Sequence, residues 1–168
     1  MRVLIVDDHA IVRDGLSRLL ASEGRHEILM AANGREALAM ARADRPDLVI
    51  LDLNLPGLGG LELLGRLAQA TSSKILVLSM HAEPLYARRA LEAGAHGYMS
   101  KNAAPDELIT AIRRVAAGGR YVEAEIAQAL ALGASYKTIA NTCTLIKSKL
   151  GVARTADLVR LAIETGVS

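Results

Sequence analysis

The sequence predicts a doubly wound α/β domain with a five-stranded parallel sheet, followed by a small all-α segment at the C-terminus. Short apolar runs and amphipathic helical patterns alternate five times between residue 3 and about residue 118. The apolar runs contain no regular polar positions, which indicates strands buried on both faces. Parallel strands that are connected by helices carry those helices on both faces of the sheet.

The predicted strands are continuous apolar runs, each followed by polar or turn-forming residues. In chain order they are VLIV (3–6), EILMAA (27–32), LVIL (48–51), KILVLS (74–79) and GYMS (97–100). The fifth run is short, and Lys101 follows it directly.

Helices are predicted between the strands because apolar residues recur there every three or four positions. The first helix shows this spacing from Ile11 to Leu20, and Gly34 and Pro46 bracket the second. Pro105 lies in the first turn of the last helix, where a missing N–H costs nothing. The predicted helices span 10–21, 35–43, 61–69, 84–93 and 105 to about 118.

Composition limits the class of protein. Of the 168 residues, 51% are hydrophobic and 23% are charged, so the chain can bury a core. The net charge of +2 is too small to indicate nucleic-acid binding, although residues 136–156 hold four basic residues and no acidic one. A single cysteine, Cys143, excludes an internal disulfide and suits a reducing compartment. We expect a cytoplasmic protein that does not enter the membrane, because no run resembles a signal peptide or a membrane span.

Polar side chains follow four of the five predicted strands. Asp7 and Asp8 follow the first, Asp52 follows the third, Ser79 closes the fourth and Lys101 follows the fifth. Because ligands of such sheets bind at the carboxyl ends of the strands, we expect these groups to converge. Clustered carboxylates need a counter-charge, and oxygen ligands suit Mg²⁺. Asp52 could then accept a phosphoryl group, with Lys101 neutralising charge and Ser79 donating a hydrogen bond.

Four motifs at these positions resemble the receiver domain of bacterial two-component response regulators, over residues 1 to about 118. They are VDD (6–8), LDLNLPGLGG (51–60), LSMH (78–81) and GYMSK (97–101). The resemblance implies a flavodoxin-like fold and phosphorylation of Asp52 by a partner histidine kinase. It implies Mg²⁺ held by Asp7 or Asp8, by Asp52 and by the main-chain carbonyl of Asn54. It also implies a regulator rather than an enzyme, although the domain contributes to its own phosphorylation and dephosphorylation.

The resemblance assigns further residues around the site. It implies a switch in which Ser79 turns to the phosphoryl group and Tyr98 moves into the vacated space. Without the family, Tyr98 would be a half-buried packing residue. His81 would lie at the rim, where it influences hydrolysis of the acyl phosphate, or it is a surface residue without a role. Asn102 follows Lys101 where many receivers have proline, so we expect no cis peptide bond there.

Residues 119–134 are predicted to form a partly helical linker, and residues 135–168 resemble the last two helices of a LuxR-type helix-turn-helix domain. The motif KSKLGV carries this resemblance, and an apolar stripe at helical spacing runs through Ile139, Cys143, Ile146 and Leu150. The predicted DNA contacts lie off the stripe and comprise Lys137, Thr138, Asn141, Thr142, Thr144, Lys147 and Lys149. A solvated helix face would have a similar composition.

This C-terminal stretch is short for a DNA-binding domain. A four-helix domain needs about 55–65 residues, whereas 34 residues run from Ser135 to Ser168. Residues are missing near 132–135, or the regulator is truncated, or the tail packs on the receiver or on a second copy. We favour missing residues, because the receiver and the recognition helix both look intact. The unsupported apolar stripe favours a homodimer.

We interpret the chain as a LuxR-type response regulator that binds promoter DNA and controls transcription after phosphorylation of Asp52. Phosphorylation would reshape the face of strands 4 and 5, and so bias dimerisation or release the tail. The alternative is a receiver-only relay or interaction module whose tail does not bind DNA. A magnesium-dependent phosphatase is less well supported, because it would usually have a second aspartate at position 54, where this chain has Asn54.

Overall fold

The computed structural model describes residues 1–80 and 83–133. Strands and helices alternate along this part of the chain. The strands are β1 (Arg2–Val6), β2 (Glu27–Ala31), β3 (Leu48–Asp52), β4 (Lys74–Ser79), β5 (Gly97–Ser100) and β6 (Tyr121–Val122). The helices are α1 (Ala10–Glu23), α2 (Gly34–Asp44), α3 (Gly60–Ala70), α4 (Pro84–Glu92) and α5 (Pro105–Ala116), and residues 124–133 are also helical.

The strands form one parallel sheet in the order β2-β1-β3-β4-β5-β6. The chain passes from β1 outward to β2 and then crosses back to β3, which lies on the other side of β1. The change of direction therefore falls between β1 and β3, where doubly wound sheets form their binding crevice. The prediction of a doubly wound parallel sheet is confirmed.

The sheet has one strand more than the five predicted. β6 pairs in parallel with β5, with Tyr121 opposite Gly97 and Val122 opposite Tyr98. The sequence pattern predicts that these residues belong to the linker, because two residues close after a Gly-Gly pair carry no periodic pattern. The sheet therefore continues past residue 118, the predicted end of the receiver domain.

Hydrophobic residues fill both faces of the sheet. β3 is buried along its whole length, as its unbroken apolar run predicted. One cluster joins a face of the sheet to α1 and α5, and it includes Ile5, Leu20, Ile50 and Ile112. Side chains alternate between faces along each strand, so the intervening residues face the opposite layer. Packing on both faces holds the strand ends in fixed positions.

Local hydrogen bonds define the ends of two helices. At the start of α2, Asn33 Oδ1 accepts a hydrogen bond from the Glu36 N–H at 3.0 Å. The Glu36 carboxylate in turn accepts one from the Ala32 N–H at 2.8 Å. This reciprocal arrangement satisfies two N–H groups, one of which α2 leaves without a partner. After α4, Gly94 adopts a φ of +110°, and the Ala95 N–H bonds to the Ala90 carbonyl. Glycine is favoured at this position because side chains disfavour positive φ.

The chain divides into two compact units, Met1–Ala127 and Gln128–Ser168. The sheet and its helices belong to the first unit. Of the second unit, the structure describes residues 128–133, which are helical. In the described parts, 1–80 and 83–133, no helix is both long enough and apolar enough to span a bilayer.

Candidate functional site

Acidic residues meet where β1 and β3 end. Asp7 follows β1 directly, and its N–H bonds to the Ala31 carbonyl at the end of β2. Asp52 is the last residue of β3, and each of these two aspartates is only 2% exposed. Buried strands that stop at the same edge therefore place two carboxylates next to each other, at the change of direction in the strand order.

Lys101 neutralises this pair of carboxylates. Its Nζ lies 2.6 Å from Asp7 Oδ2 and 2.6 Å from Asp52 Oδ2, so one ammonium group donates to both. Burial opposes the charge of the ammonium, but the hydrogen bonds to Asp52 and Asp7 outweigh burial and raise the pKa of Lys101. The lysine is therefore a fixed positive charge within the site.

The remaining oxygens of the two aspartates are also occupied. Asp52 Oδ1 accepts the Asn54 N–H at 3.0 Å. Asp7 Oδ1 accepts the His9 N–H at 2.9 Å and lies 3.2 Å from His9 Nδ1. The guanidinium of Arg13 donates to the Asp7 carbonyl at 2.6 Å, which holds the turn after β1. These contacts orient both carboxylates before any ligand arrives.

Asp8 supplies the group that fits a cation. Its Oδ1 is buried, and within the described residues it accepts no hydrogen bond; His9 Nδ1 lies 2.9 Å away without hydrogen-bond geometry. One ligand atom from each of Asp7, Asp8, His9 and Asp52 lies within 4.8 Å of the others. Three carboxylates suit a hard divalent cation such as Mg²⁺, whereas the His9 ring is 63% exposed and better suited to softer metals.

Ser79 and Tyr98 form a buried polar pair beside the acidic residues. Both residues have no exposed surface, and their side chains are hydrogen-bonded to each other. Burial raises the pKa of the Tyr98 phenol, and the bond to Ser79 partly offsets this effect. In this state the tyrosine already points inward, in contact with the serine.

Gly60 fixes the loop between Asp52 and α3. A Cβ at this position would lie 2.1 Å from the carbonyl oxygen of Leu53 and 2.5 Å from its Cα. The first turn of α3 thus rests directly on the backbone that follows Asp52. Any side chain at position 60 would push this backbone away.

A family model of the response regulator receiver domain matches residues 3–113 of the chain. The chain belongs to the response regulator receiver family. The regulator is 42% identical over 134 residues to the response regulator UvrY of Escherichia coli O6:H1, an alignment that covers 79% of this chain and 62% of UvrY. It spans less than two thirds of the length of that relative.

Two further comparisons concern regulators of known name or structure. This response regulator is 37% identical to the transcriptional activator protein ExaE of Pseudomonas putida over 210 aligned positions, which cover 99% of this chain and 98% of ExaE. Since the chain has 168 residues, at least 42 of those positions have no counterpart in it. The crystal structure of a LuxR-family two-component response regulator from Aurantimonas sp. SI85-9A1 superposes with a TM-score of 0.76 at 39% identity, and covers 80% of this chain and 97% of that chain.

The structure of the regulator brings together most of the receiver residues that the sequence singled out. Asp7, Asp8, Asp52 and Lys101 form one cluster, and Ser79 pairs with Tyr98. The described contacts of Asn54 involve its N–H, so the role of its carbonyl stays a prediction. The peptide bond before Asn102 is trans, as expected.

Several predicted residues lie outside the described part of the regulator. They are His81 and the seven predicted DNA contacts, Lys137, Thr138, Asn141, Thr142, Thr144, Lys147 and Lys149. Conversely, two residues that hold Asp7 in place, His9 and Arg13, are not among the predicted site residues. His9 directly follows the two aspartates in VDDH, and this adjacency could have indicated it, whereas the bond from Arg13 depends on the position of α1.

Proposed function

We propose that this response regulator accepts a phosphoryl group on Asp52 from a sensor histidine kinase, in a Mg²⁺-dependent reaction, and controls transcription through residues 135–168. The observation that carries the receiver half is the ammonium of Lys101, which bonds to Asp7 and Asp52 together. A buried carboxylate with the lysine ammonium on one side, and on the other acidic residues that would hold Mg²⁺, is suited to accept a phosphoryl group, because both cations neutralise the charge of that group.

Asp52 is the nucleophile of the proposed transfer. An oxygen of its carboxylate attacks phosphorus, the bond from phosphorus to the donor's leaving atom breaks, and the leaving group keeps the electron pair. Lys101 then donates to the phosphoryl oxygens and neutralises their negative charge, because its Nζ already contacts Asp52 Oδ2. Ser79 donates a hydrogen bond to one of those oxygens and gives up its bond with Tyr98. His81 is proposed to act at the rim, on hydrolysis of the acyl phosphate.

The proposed ligands of Mg²⁺ are the carboxylates of Asp7, Asp8 and Asp52 and the main-chain carbonyl of Asn54. The buried Asp8 Oδ1, which has no hydrogen-bond partner among the described residues, supports this assignment. When bound, Mg²⁺ supplies positive charge that neutralises oxygens in the transition state. Its carboxylate ligands would otherwise repel an incoming phosphoryl group.

The proposed output is binding of promoter DNA by residues 135–168, as the C-terminal part of a LuxR-type domain after a linker at 119–134. The name of ExaE, a transcriptional activator, supports this half, because its alignment covers nearly all of this chain. We propose a homodimer, because the apolar stripe of residues 139–150 needs a partner surface. We also propose that it lies in the cytoplasm, since one cysteine in 168 residues suits a reducing compartment.

Acetyl phosphate with Mg²⁺ tests the receiver half. We expect the intact mass of the purified protein to rise by one phosphoryl group, and Asp52→Asn to abolish the increase. Asp14→Asn is the matched control, because Asp14 is an exposed aspartate of α1. Labelling of Asp52→Asn at a rate comparable to the wild type would refute the assignment.

A second candidate function is a receiver-only relay or interaction module whose tail does not bind DNA. The length of the C-terminal stretch favours it, because 34 residues run from Ser135 to Ser168 and isolated short helices are marginal in water. A mobility-shift assay across a salt series separates the two. A transcription factor shows sequence preference and steep salt dependence, and the module shows neither.

A further inference from the structure

Glu123 makes three hydrogen bonds at the exit of the receiver, two to β5 and one to the helix that follows it. Its N–H donates to the Tyr98 carbonyl of β5 at 3.2 Å. Its carbonyl accepts the Ala127 N–H at 2.9 Å, which is the first hydrogen bond of the helix over residues 124–133. Its carboxylate Oε2 accepts the Ser100 N–H at 2.7 Å.

The third bond replaces one that the sheet does not supply. If β6 continued, the Glu123 carbonyl would accept the Ser100 N–H, as the regular ladder of a parallel pair requires. The chain instead turns into a helix and uses that carbonyl for Ala127. Ser100 is 9% exposed, so its N–H would lose most of its access to water without gaining a partner. The carboxylate of Glu123 therefore accepts the hydrogen bond that its main-chain carbonyl would accept in a continued strand.

Ser100 immediately precedes Lys101, whose ammonium holds Asp7 and Asp52. On the β4 side, the Lys101 N–H bonds to the Ser79 carbonyl at 2.9 Å. On the β6 side, Glu123 holds the neighbouring N–H, and Ser100 Oγ in turn accepts the Asn102 N–H at 3.1 Å. Hydrogen bonds to Ser79 on one side and to Glu123 on the other therefore hold the backbone at Ser100 and Lys101 in place.

We propose that Glu123 is a positioning residue for Lys101, and that it links the phosphoryl-acceptor site to the start of the helix at residue 124. The inference rests on the proposed phosphorylation of Asp52. Loss of the carboxylate frees the backbone at Ser100 and lets the ammonium move relative to Asp52. The link is reciprocal, so a change in the direction of this helix alters the placement of the lysine.

The test uses the full chain with the variants Glu123→Ala and Glu123→Gln. Glutamine keeps an acceptor oxygen, and Glu125→Ala is the matched control, because Glu125 is an exposed residue in the first turn of the helix that follows Glu123. Phosphorylation by acetyl phosphate with saturating Mg²⁺ is followed by intact mass, amide hydrogen exchange is measured at Ser100, and circular dichroism confirms folding. We expect Glu123→Ala to slow phosphorylation about tenfold and to speed exchange at Ser100, since small displacements of a reacting group have large kinetic effects.

Glu123→Gln should stay within about twofold of the wild-type rate, because its amide oxygen still accepts the bond. A folded Glu123→Ala protein with the wild-type rate, or with unchanged exchange at Ser100, would overturn the inference. So would a Glu123→Gln protein as slow as Glu123→Ala. Absence of labelling in the wild type would instead refute the proposed function itself, and the role of Glu123 with it.

Discussion

Lys101 donates a 2.6 Å hydrogen bond to Asp52, a residue 49 positions earlier in the chain. The same Nζ reaches Asp7 at an equal distance, and the lysine side chain is 13% exposed. The two carboxylates lie at the ends of β1 and β3, and the lysine directly follows β5. The electrostatic balance of the site therefore depends on one cation that is already present in the protein.

Lys101→Ala should destabilise the protein by about 3 kcal/mol, because it leaves two buried carboxylates facing each other without a counter-charge. Urea unfolding at neutral pH measures the loss. Mg²⁺ should restore more stability to this variant than to the wild type, since the cation binds the same oxygens in the folded state. Arg18→Ala, at an exposed position of α1, should change stability by less than about 0.5 kcal/mol. Equal urea midpoints for Lys101→Ala and the wild type would contradict this account.

Gly60→Ala should destabilise the protein by about 2–3 kcal/mol and slow phosphorylation, because the added Cβ collides with the Leu53 backbone beside Asp52. Gly65→Ala is the control in the same helix. Nothing lies within 4 Å of a Cβ at position 65, so this change should stabilise α3 by about 0.5–1 kcal/mol. Thermal unfolding of both variants measures the contrast, and the prediction fails if they shift in the same direction.

The hydrogen bond between Ser79 and Tyr98 should contribute a coupling energy of about 1 kcal/mol to the free energy of unfolding. A double-mutant cycle with Ser79→Ala and Tyr98→Phe measures this coupling. In the phosphorylated protein, the coupling should fall towards zero, because Ser79 then donates to the phosphoryl group. A cycle that pairs Ser79→Ala with Tyr121→Phe serves as the control, since Tyr121 bonds to Glu107 instead. Equal coupling with and without phosphorylation would exclude the switch.

Tyr121 should ionise late in an alkaline titration. Burial, followed by the hydrogen bond to Glu107 and its charge, raises the pKa of the phenol to about 12 from the ordinary 10. The folded state prefers the neutral phenol, so this stabilisation is complete below pH 10 and is lost as the pH rises towards 12. The chain has four tyrosines and no tryptophan, so tyrosinate absorbance follows their ionisation without interference from indole.

Two variants assign that step. Tyr121→Phe should remove one tyrosinate from the late part of the titration, to which Tyr98 also contributes because burial raises the pKa of its phenol. Glu107→Gln should move the Tyr121 step partly back towards pH 10, because burial remains while the carboxylate charge is lost. A Glu107→Gln titration that superposes on that of the wild type would show that the carboxylate has no influence on the phenol.

The sheet and the acidic cluster could be predicted because their signals are local. The apolar run VLIV ends in Asp7, and LVIL ends in Asp52, so the strand and its terminal charge are adjacent in the sequence. Parallel pairing then brings the two ends together without further information. The prediction needed the direction of the strands but not their detailed packing.

Features that depend on distant backbone could not be predicted in the same way. β6 is two residues long and exists because the edge of β5 is available to it. Glu123 accepts a hydrogen bond from the N–H of Ser100, which lies 23 residues earlier in the chain. Residue type and spacing do not predict this bond, because the Ser100 N–H lacks a backbone acceptor only where the chain leaves the sheet for a helix.

The position of β6 has a consequence for engineering this protein. A chimera that joins the receiver to a foreign effector directly after Gly118 would expose the hydrogen-bonding edge of β5, and bare edges recruit strands from neighbouring molecules. Ile126, which is 3% exposed, would be removed with that segment, so the surface that buries it would also become exposed. A chimera with a foreign effector should therefore keep this chain through Ala127, so that β6 still covers the edge of β5.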